Sequence, residues 1–397
     1  MNNKLIWLVA NMCRWLISAI FIFSGIVKLI DPMGTAYKVQ DYVIAIFGSD
    51  WLSWTITLPL AVMLGLMEFC IGIYLFFGIR RHWTSRIAVA LMAFYTPLTL
   101  WIAITDAVPD CGCFGDAVHL TGWQTFSKNV VMLALCIVAF KMRKHFTRFI
   151  SEKMQWLISL YSIVYGLFLA GLCIYTLPII DFRPYHIGQN IPKAMEWPDD
   201  PQQLPEIIDF DFDGAEDIIS DTSYTFLLVA PSLETADDGA MDRINALTDY
   251  AKHYKYTFLC LTGSGDEAIA RWQDLTGSEY PFTFADPLLL KTMVRSNPGL
   301  MLIHNGTIVN KWSAETMPIE EELTAPLYQL DMAHLQPQSY RNKLLYLLLW
   351  YLVPLMLITF TDRVIAGTKW WKRRKAAMHP DLATEAVDEP EATQLEE

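Results

Sequence analysis

Two cysteines separated by one glycine, Cys111-Gly112-Cys113, have the residue types and the spacing that thiol–disulfide chemistry requires. The pair lies in a loop between two apolar runs, residues 87–104 and 130–140. Glycine permits the tight turn that brings cysteines i and i+2 within disulfide distance. A disulfide in so small a ring would be strained, and strained disulfides are easily reduced. We therefore predict that Cys111 and Cys113 form a redox-active, catalytic pair.

Other interpretations of this cysteine pair remain open from the sequence. The two thiols could be metal ligands, could form a structural bond to another chain, or could be unpaired small residues. His119, Asp110 and Asp116 lie on the same loop and could complete a metal site with them. The loop contains neither a second His nor a third Cys, whereas structural zinc sites almost always have four such ligands. We therefore predict no metal site.

Three charged residues in or beside apolar runs could support the cysteines. Glu68 lies near the middle of its run, where ionisable groups are rare and usually face a bundle interior. It is either a hydrogen-bonded structural glutamate or a proton acceptor or headgroup partner for a bound quinone. Lys28 and Lys128 lie near the ends of their runs, and we expect them to extend to the membrane surface. Either ammonium would lower the pKa of a nearby thiol. A Lys28–Glu68 pair is possible, although the two residues differ in depth by about two helical turns.

The composition indicates a membrane protein. Hydrophobic residues make up 53% of the 397 residues, and the mean hydropathy is +0.27, which is too apolar for a soluble chain of this size. A net charge of -12 argues against a nucleic-acid partner, because phosphate binding needs clustered Lys and Arg. The apolar runs predict six spans in a lipid bilayer: residues 5–30, 56–79, 87–105, 125–140, 156–180 and 344–360.

The distribution of basic residues predicts the orientation of these spans. Lys and Arg cluster after the second, fourth and sixth runs, in residues 80–86, 141–153 and 369–375. The positive-inside rule makes that side cytoplasmic, so both termini are expected in the cytoplasm. The cysteine loop, whose residues 106–124 contain no Lys or Arg, then lies outside. We predict a bacterial inner-membrane protein whose outer face meets the oxidising periplasm.

A soluble domain is predicted between the fifth and sixth runs. Residues 182–340 are acidic and alternate strand and helix patterns, with Asn305-Gly306 as a hairpin signal. The predicted order is strand 223–230, helix 240–253, strand 256–261, helix 267–275, strand 281–285, helical turn 288–294, strands 299–303 and 308–312, and a last helix near 320–330. This order resembles the thioredoxin fold. Pro298 lies where that fold keeps its cis-proline, and we predict a cis peptide there.

The soluble domain lacks the cysteines of a thioredoxin active site. Residues 231–235, which follow its first strand, contain no cysteine, and Cys260 is the only thiol between residues 182 and 340. Without two thiols the domain cannot exchange disulfides alone. We therefore expect a module that docks or positions a partner.

The N-terminal part resembles the DoxX/MauE group of four-helix membrane proteins. The matching residues are Phe23 to Leu29 followed by Asp31-Pro32, Glu68 and Gly72, the string Asp110 to Gly115, and Lys128-Asn129. The resemblance implies a redox-associated membrane protein. MauE-like members are linked to making the disulfide-rich small subunit of methylamine dehydrogenase, and DoxX-like members to a quinone-linked sulfur oxidoreductase. The whole chain resembles a DoxX-type bundle fused to a soluble domain, as in Bacteroides-type bacteria.

These observations predict a membrane α-helical protein with an inserted α/β domain. Its expected parts are a DoxX/MauE-like four-helix domain at 1–145, a fifth span at 154–181, a periplasmic thioredoxin-like domain lacking Cys-x-x-Cys at 182–340, a sixth span at 343–361 and a disordered cytoplasmic tail at 362–397. The expected function is thiol–disulfide redox chemistry at the periplasmic face, linked to a quinone or to disulfide formation in a client protein. The alternative is a non-catalytic accessory or assembly subunit whose periplasmic domain binds a partner, with structural or metal-binding cysteines. The sequence leaves open whether the chain is an enzyme, and a quinone is the only cofactor it suggests.

Overall fold

Six helices in the described part of the chain are long and apolar enough to cross a membrane, which defines a multi-pass membrane protein. The computed structural model describes residues 3–49, 52–108, 112–200, 204–335 and 340–378. The N-terminal elements are α1 (Asn3–Ile30), α2 (Pro32–Phe47), α3 (Trp54–Phe77), α4 (Arg81–Thr105), β1 (Cys113–Asp116), α5 (Gly122–Lys141) and α6 (Gln155–Thr176). All of these helices except α2 are candidate spans.

Glycines allow α1 and α3 to pack closely against each other. A Cβ atom at Gly25 would lie 2.4 Å from the backbone nitrogen of Phe69, and one at Gly72 would lie 2.7 Å from that of Ile22. The Ser18 hydroxyl donates a hydrogen bond of 2.7 Å to the Gly72 carbonyl. Small residues of this kind let membrane helices approach until their backbones touch, where dispersion contacts stabilise the pair. The α1–α3 contact is therefore the central packing interface of the bundle.

Local signals define both ends of α2. The Asp31 carboxylate accepts a hydrogen bond of 2.8 Å from the Gly34 backbone N–H, and Pro32 occupies the first turn. Gly48 ends the helix with φ +74°, in the left-handed region that glycine tolerates. The amphipathic piece predicted for residues 37–47 is thus part of a longer helix that starts directly after α1.

The second part of the chain is an α/β domain around a mixed sheet. Its elements are α7 (Ile191–Ala194), α8 (Ala215–Ser220), β2 (Tyr224–Ala230), α9 (Met241–Tyr254), β3 (Thr257–Thr262), α10 (Asp266–Thr276), β4 (Phe282–Phe284), α11 (Pro287–Met293), β5 (Gly299–His304) and β6 (Thr307–Ser313). The strand order is β4-β3-β2-β5-β6, with β2, β3 and β4 parallel and both β5 and β6 joined by antiparallel pairing. Asn305 and Gly306, both at positive φ, turn the β5–β6 hairpin as predicted.

Alternate residues of the central strand β2 serve two cores. Phe226 and Leu228 pack in one apolar cluster, while Leu227 and Val229 pack in a second cluster on the other side of the sheet. Successive side chains of a strand point to opposite faces, so a strand that is apolar throughout must be covered on both. The run Tyr224–Ala230 is therefore a buried central strand, and this explains its continuous hydrophobicity.

The prediction that this domain ends in a helix near residues 320–330 is wrong. The segment forms three short 3₁₀ turns, at Glu320–Glu322, Leu327–Gln329 and Asp331–Ala333. Pro318 and Pro326 give the physical reason, because proline donates no backbone hydrogen bond and disfavours a helical conformation in the residue before it.

The sixth candidate span belongs to a single long helix, α12 (Tyr340–Met378). A disordered tail is expected from residue 362, but the helix continues well past that point. Its last turns are rich in Lys, Arg and Ala, which are good helix formers. Residues 379–397 lie outside the described residues.

The close α1–α3 contact predicts the effect of adding one methyl group. Gly25→Ala should lower the free energy of unfolding by about 1–3 kcal/mol, because the new Cβ overlaps the backbone at Phe69. The matched control is Gly171→Ala in α6, where no atom lies within 4 Å of the added carbon. Thermal unfolding in detergent measures both variants. Equal melting temperatures for the two would contradict the packing described for α1 and α3.

Candidate functional site

Cys113 begins β1 and is half-buried against the helix bundle, whereas Cys111 and Asp110 lie outside the described residues. Gly112 precedes the strand at φ +62° and Gly115 lies within it at φ +53°, both in the left-handed region that glycine adopts without strain. A hydrogen bond of 3.1 Å from the Gly115 N–H to the Gly112 carbonyl closes this turn. The two glycines thereby fix the direction in which the carbonyl of Cys113 points, which is toward α1.

A buried ion pair lies directly beneath this carbonyl. The Lys28 ammonium donates to the Cys113 carbonyl at 2.7 Å and lies 2.8 Å from the Glu68 carboxylate. Both charged residues are almost inaccessible, at 5% and 1% exposure. A buried ion pair is tolerable only when further hydrogen bonds satisfy its remaining donors and acceptors. Here they do, because Ser24 accepts from Lys28 at 2.7 Å and Tyr95 donates to the second oxygen of Glu68 at 2.7 Å.

The expectation that Lys28 extends to the membrane surface is therefore wrong. Its ammonium points into the bundle, where it pairs with the Glu68 carboxylate instead of reaching the membrane surface. The depth difference between the two residues is overcome because Gly65, one turn before Glu68, lets α3 approach the Lys28 side chain. A Cβ at Gly65 would lie only 3.0 Å from that of Lys28.

Lys128 lies over the residue that follows Cys113. Its ammonium is 4.0 Å from the centroid of the Phe114 ring, a cation–π contact. The same ring meets Phe23 of α1 edge to face, with centroids 5.4 Å apart. Phe114 thereby connects α5 to α1 across β1, and Lys128 places a second positive charge beside the cysteine loop.

A small cavity of about 90 Å³ lies among these groups. Its walls include Lys38 and Tyr42 of α2, with Glu68, Tyr95 and Cys113. Sites that hold drug-sized ligands usually measure about 300–1,000 Å³. In the conformation described here the cavity has room for several waters but not for a quinone ring.

The α/β domain reaches the same loop through one arginine. The Arg295 guanidinium lies 3.1 Å from the carboxylate of Asp31 and 2.6 Å from that of Asp116, the last residue of β1. Burial by itself would lower the pKa of Arg295, but the two carboxylates raise it, so the group stays charged. Tyr37 of α2 completes the contact, with its ring centroid 5.4 Å from the guanidinium carbon. Two residues thus bind the cysteine loop: Lys28 of the helix bundle and Arg295 of the α/β domain.

Most of the residues singled out from the sequence meet at this point. Cys113, Lys28, Glu68 and Lys128 all lie around β1. Pro298 belongs to the α/β domain, three residues after Arg295, and its peptide bond with Asn297 is cis.

Tyr95 and Arg295 had no role assigned from the sequence, whereas Ser24 and Asp31 entered only through the family resemblance and Asp116 only as a possible metal ligand. Ser24 precedes Lys28 by four residues and so shares its helix face, which is a local signal for their contact. Among the described residues, no group of three or more His, Cys, Asp and Glu side chains could hold a metal ion.

The fold and the site together define a multi-pass membrane protein that carries an additional α/β domain. Residues 4–142, which span α1 to α5, match the family model described as methylamine utilisation protein MauE. This confirms the expected MauE resemblance for that segment. No curated protein and no solved structure matches the chain.

The buried pair predicts strongly unequal effects of removing one or both charges. Lys28→Met should lower the free energy of unfolding by about 3–5 kcal/mol, because it leaves Glu68 buried without a counter-charge. The double variant Lys28→Met/Glu68→Leu should lose less than the sum of the single variants. Thermal unfolding in detergent measures the cycle. The control is the exposed pair Lys252–Glu279, where a matched cycle should show little coupling. Additive losses at Lys28 and Glu68 would show that the pair does not interact.

Proposed function

We propose that this protein carries out thiol–disulfide exchange at the outer face of a bacterial inner membrane, through Cys111 and Cys113. The observation that supports this most directly is the double attachment of the cysteine loop. Lys28 binds the carbonyl of Cys113, and Arg295 binds the carboxylate of Asp116 three residues later. A simple connection between two spans needs no buried charges from two domains, whereas a reactive pair must be held in a fixed geometry.

The proposed reaction starts from the oxidised pair. A client dithiol attacks the Cys111–Cys113 disulfide, passes through a mixed disulfide and leaves as a disulfide, while the pair becomes a dithiol. Two electrons and two protons move from the client to the protein. Reoxidation of the pair requires an acceptor of two electrons and two protons; a quinone would supply this chemistry, but it would have to bind outside the cavity of about 90 Å³ beside Cys113. Glu68, hydrogen-bonded to Tyr95 beneath the loop, is the proposed proton acceptor, and Lys128 the nearby charge that favours a thiolate.

The α/β domain is proposed to be a thioredoxin-like module that positions a client rather than reacting with it. Its parallel β2–β3 pair and its β5–β6 hairpin support this assignment, as does Pro298 close to Arg295. Its single thiol, Cys260, is fully buried in β3, and burial raises the pKa of that thiol well above its usual value. Such a thiol is neither accessible nor ionised.

A second candidate is a membrane accessory or assembly subunit without catalytic cysteines. The family match supports it, since the matching model is named for methylamine utilisation and not for a redox reaction. In this case the α/β domain binds a partner, and the cysteine pair is structural or binds a metal. The two candidates differ in whether the pair changes its oxidation state.

The redox proposal predicts that either cysteine is indispensable. Cys111→Ser and Cys113→Ser should each abolish cycling of the pair without impairing membrane insertion, and the double variant should be no worse. Thiol labelling of intact cells before and after a reductant measures cycling. Cys260→Ala is the matched control and should cycle normally, because its thiol is buried. A pair that stays reduced and carries zinc in the purified protein would instead favour the accessory subunit.

The orientation proposed for the spans predicts where reporters appear. The N- and C-termini and residues 141–153 are proposed to be cytoplasmic, and the α/β domain periplasmic, because the basic segments collect on one side. Reporter fusions after Lys144 and after Gly188 should therefore lie on opposite sides, since only α6 crosses between them. Reporters on the same side would refute this topology.

A further inference from the structure

A large apolar cleft lies between α6 and α12, at the ends of these helices nearest the α/β domain. Its volume is about 550 Å³, several times that of the cavity beside Cys113. Phe168 and Leu172 line one wall, and Tyr346 and Trp350 the other. This volume falls within the range of sites that bind small organic ligands.

Hydrogen bonds and a ring contact join the two helices at one side of the cleft. The Tyr161 hydroxyl donates to the Trp350 carbonyl at 2.6 Å, and the Tyr165 hydroxyl donates to that of Leu347 at 3.0 Å. The Phe168 and Trp350 rings stack above these bonds, with centroids 6.5 Å apart. Both stacked side chains are more than half exposed, so the opening faces the hydrocarbon of the bilayer.

The end of the cleft nearest the α/β domain is polar and carries excess positive charge. Lys311 and Lys343 both line it, together with one carboxylate, Asp181. Both oxygens of Asp181 are already engaged, one by Lys311 at 2.8 Å and the other by Arg183 at 2.8 Å. In the described part of the chain, no carboxylate lies within salt-bridge distance of the Lys343 ammonium. The cleft therefore combines an apolar slot with an excess of positive charge at its mouth.

We propose that this cleft binds one anionic phospholipid, with an acyl chain between α6 and α12 and the phosphate at Lys343. The occupant must be amphipathic, because the walls are apolar and the charge is confined to one end. It must be anionic, because Asp181 already forms ion pairs with Arg183 and Lys311, so this one carboxylate faces three cations when Lys343 is included. Basic pockets between membrane helices bind acidic headgroups at the cytoplasmic side of membranes, and the same pairing of charges applies at this end of α6 and α12. The proposal is independent of the cysteine chemistry.

The test is native mass spectrometry of the full chain in mild detergent, titrated with phosphatidylglycerol or with phosphatidylcholine of the same acyl chains. One phosphatidylglycerol should bind at least about fivefold more tightly than phosphatidylcholine, the factor expected for one lysine at a membrane surface. Lys343→Gln should remove this preference. Lys369→Gln, a lysine near the other end of α12, should retain it.

Two further experiments test the contribution of the apolar slot separately from that of the charge. Leu172→Trp, which fills the slot, should weaken the binding of both lipids, and inorganic phosphate at millimolar concentration should not displace either. Equal binding of the two lipids by the unaltered chain would overturn the proposal, as would unchanged selectivity in Lys343→Gln or unchanged affinity in Leu172→Trp. Full displacement by phosphate would overturn it in favour of a free-phosphate site.

Discussion

The ammonium of Lys28 joins three parts of the membrane domain that are distant in sequence. It contacts Ser24 on its own helix, the carboxylate of Glu68 on α3 and the backbone carbonyl of Cys113 on β1. A charge inside a helix bundle is stable only when it is paired and hydrogen-bonded in this way. The close approach of α1 to α3 brings the pair together, and the pair in turn fixes the cysteine loop. The packing of the spans and the position of Cys113 therefore depend on the same buried charge.

Arg295 extends this dependence to the α/β domain. Asp31, which it binds, also caps α2 through the Gly34 N–H, so one carboxylate both starts a helix and joins two domains. A Cβ at position 34 would lie 2.2 Å from the Asp31 carboxylate and 2.7 Å from the Arg295 guanidinium, so any larger residue would have to displace these two side chains. The beginning of α2 is thus built around the contact between the domains, and the α/β domain is seated over the cysteine loop rather than tethered loosely beside it.

The segment after α6 connects this contact to the lipid cleft. Arg183 donates to the carbonyl of Thr292 at 2.8 Å, and Arg295 donates to that of Lys291 at 2.6 Å, so both arginines hold the end of α11. Burial alone would raise the pKa of Asp181, but Arg183 and Lys311 hold it below its usual value, and the carboxylate remains ionised. The cysteine loop and the cleft consequently lie at two ends of one polar network that runs beneath the α/β domain.

Hydrophobicity and turn chemistry made the elements of this protein predictable. The six apolar runs gave the spans, and Asn305-Gly306 and the strand patterns gave the hairpin and most of the sheet, because these features depend on residues close together in the chain. The helix predicted near residues 320–330 does not form, because two prolines disfavour it. Within the site, Cys113, Glu68, Lys28 and Lys128 could be chosen because thiols and charges in apolar surroundings are rare.

Only the tertiary structure decided which of these side chains contact each other. The Lys28–Glu68 pair needs the glycine-mediated approach of two helices, and the Arg295 contact joins residues 264 positions apart in the sequence. No local pattern encodes the crossing of two helices or the seating of one domain on another, since both are set by shape and charge summed over the whole fold.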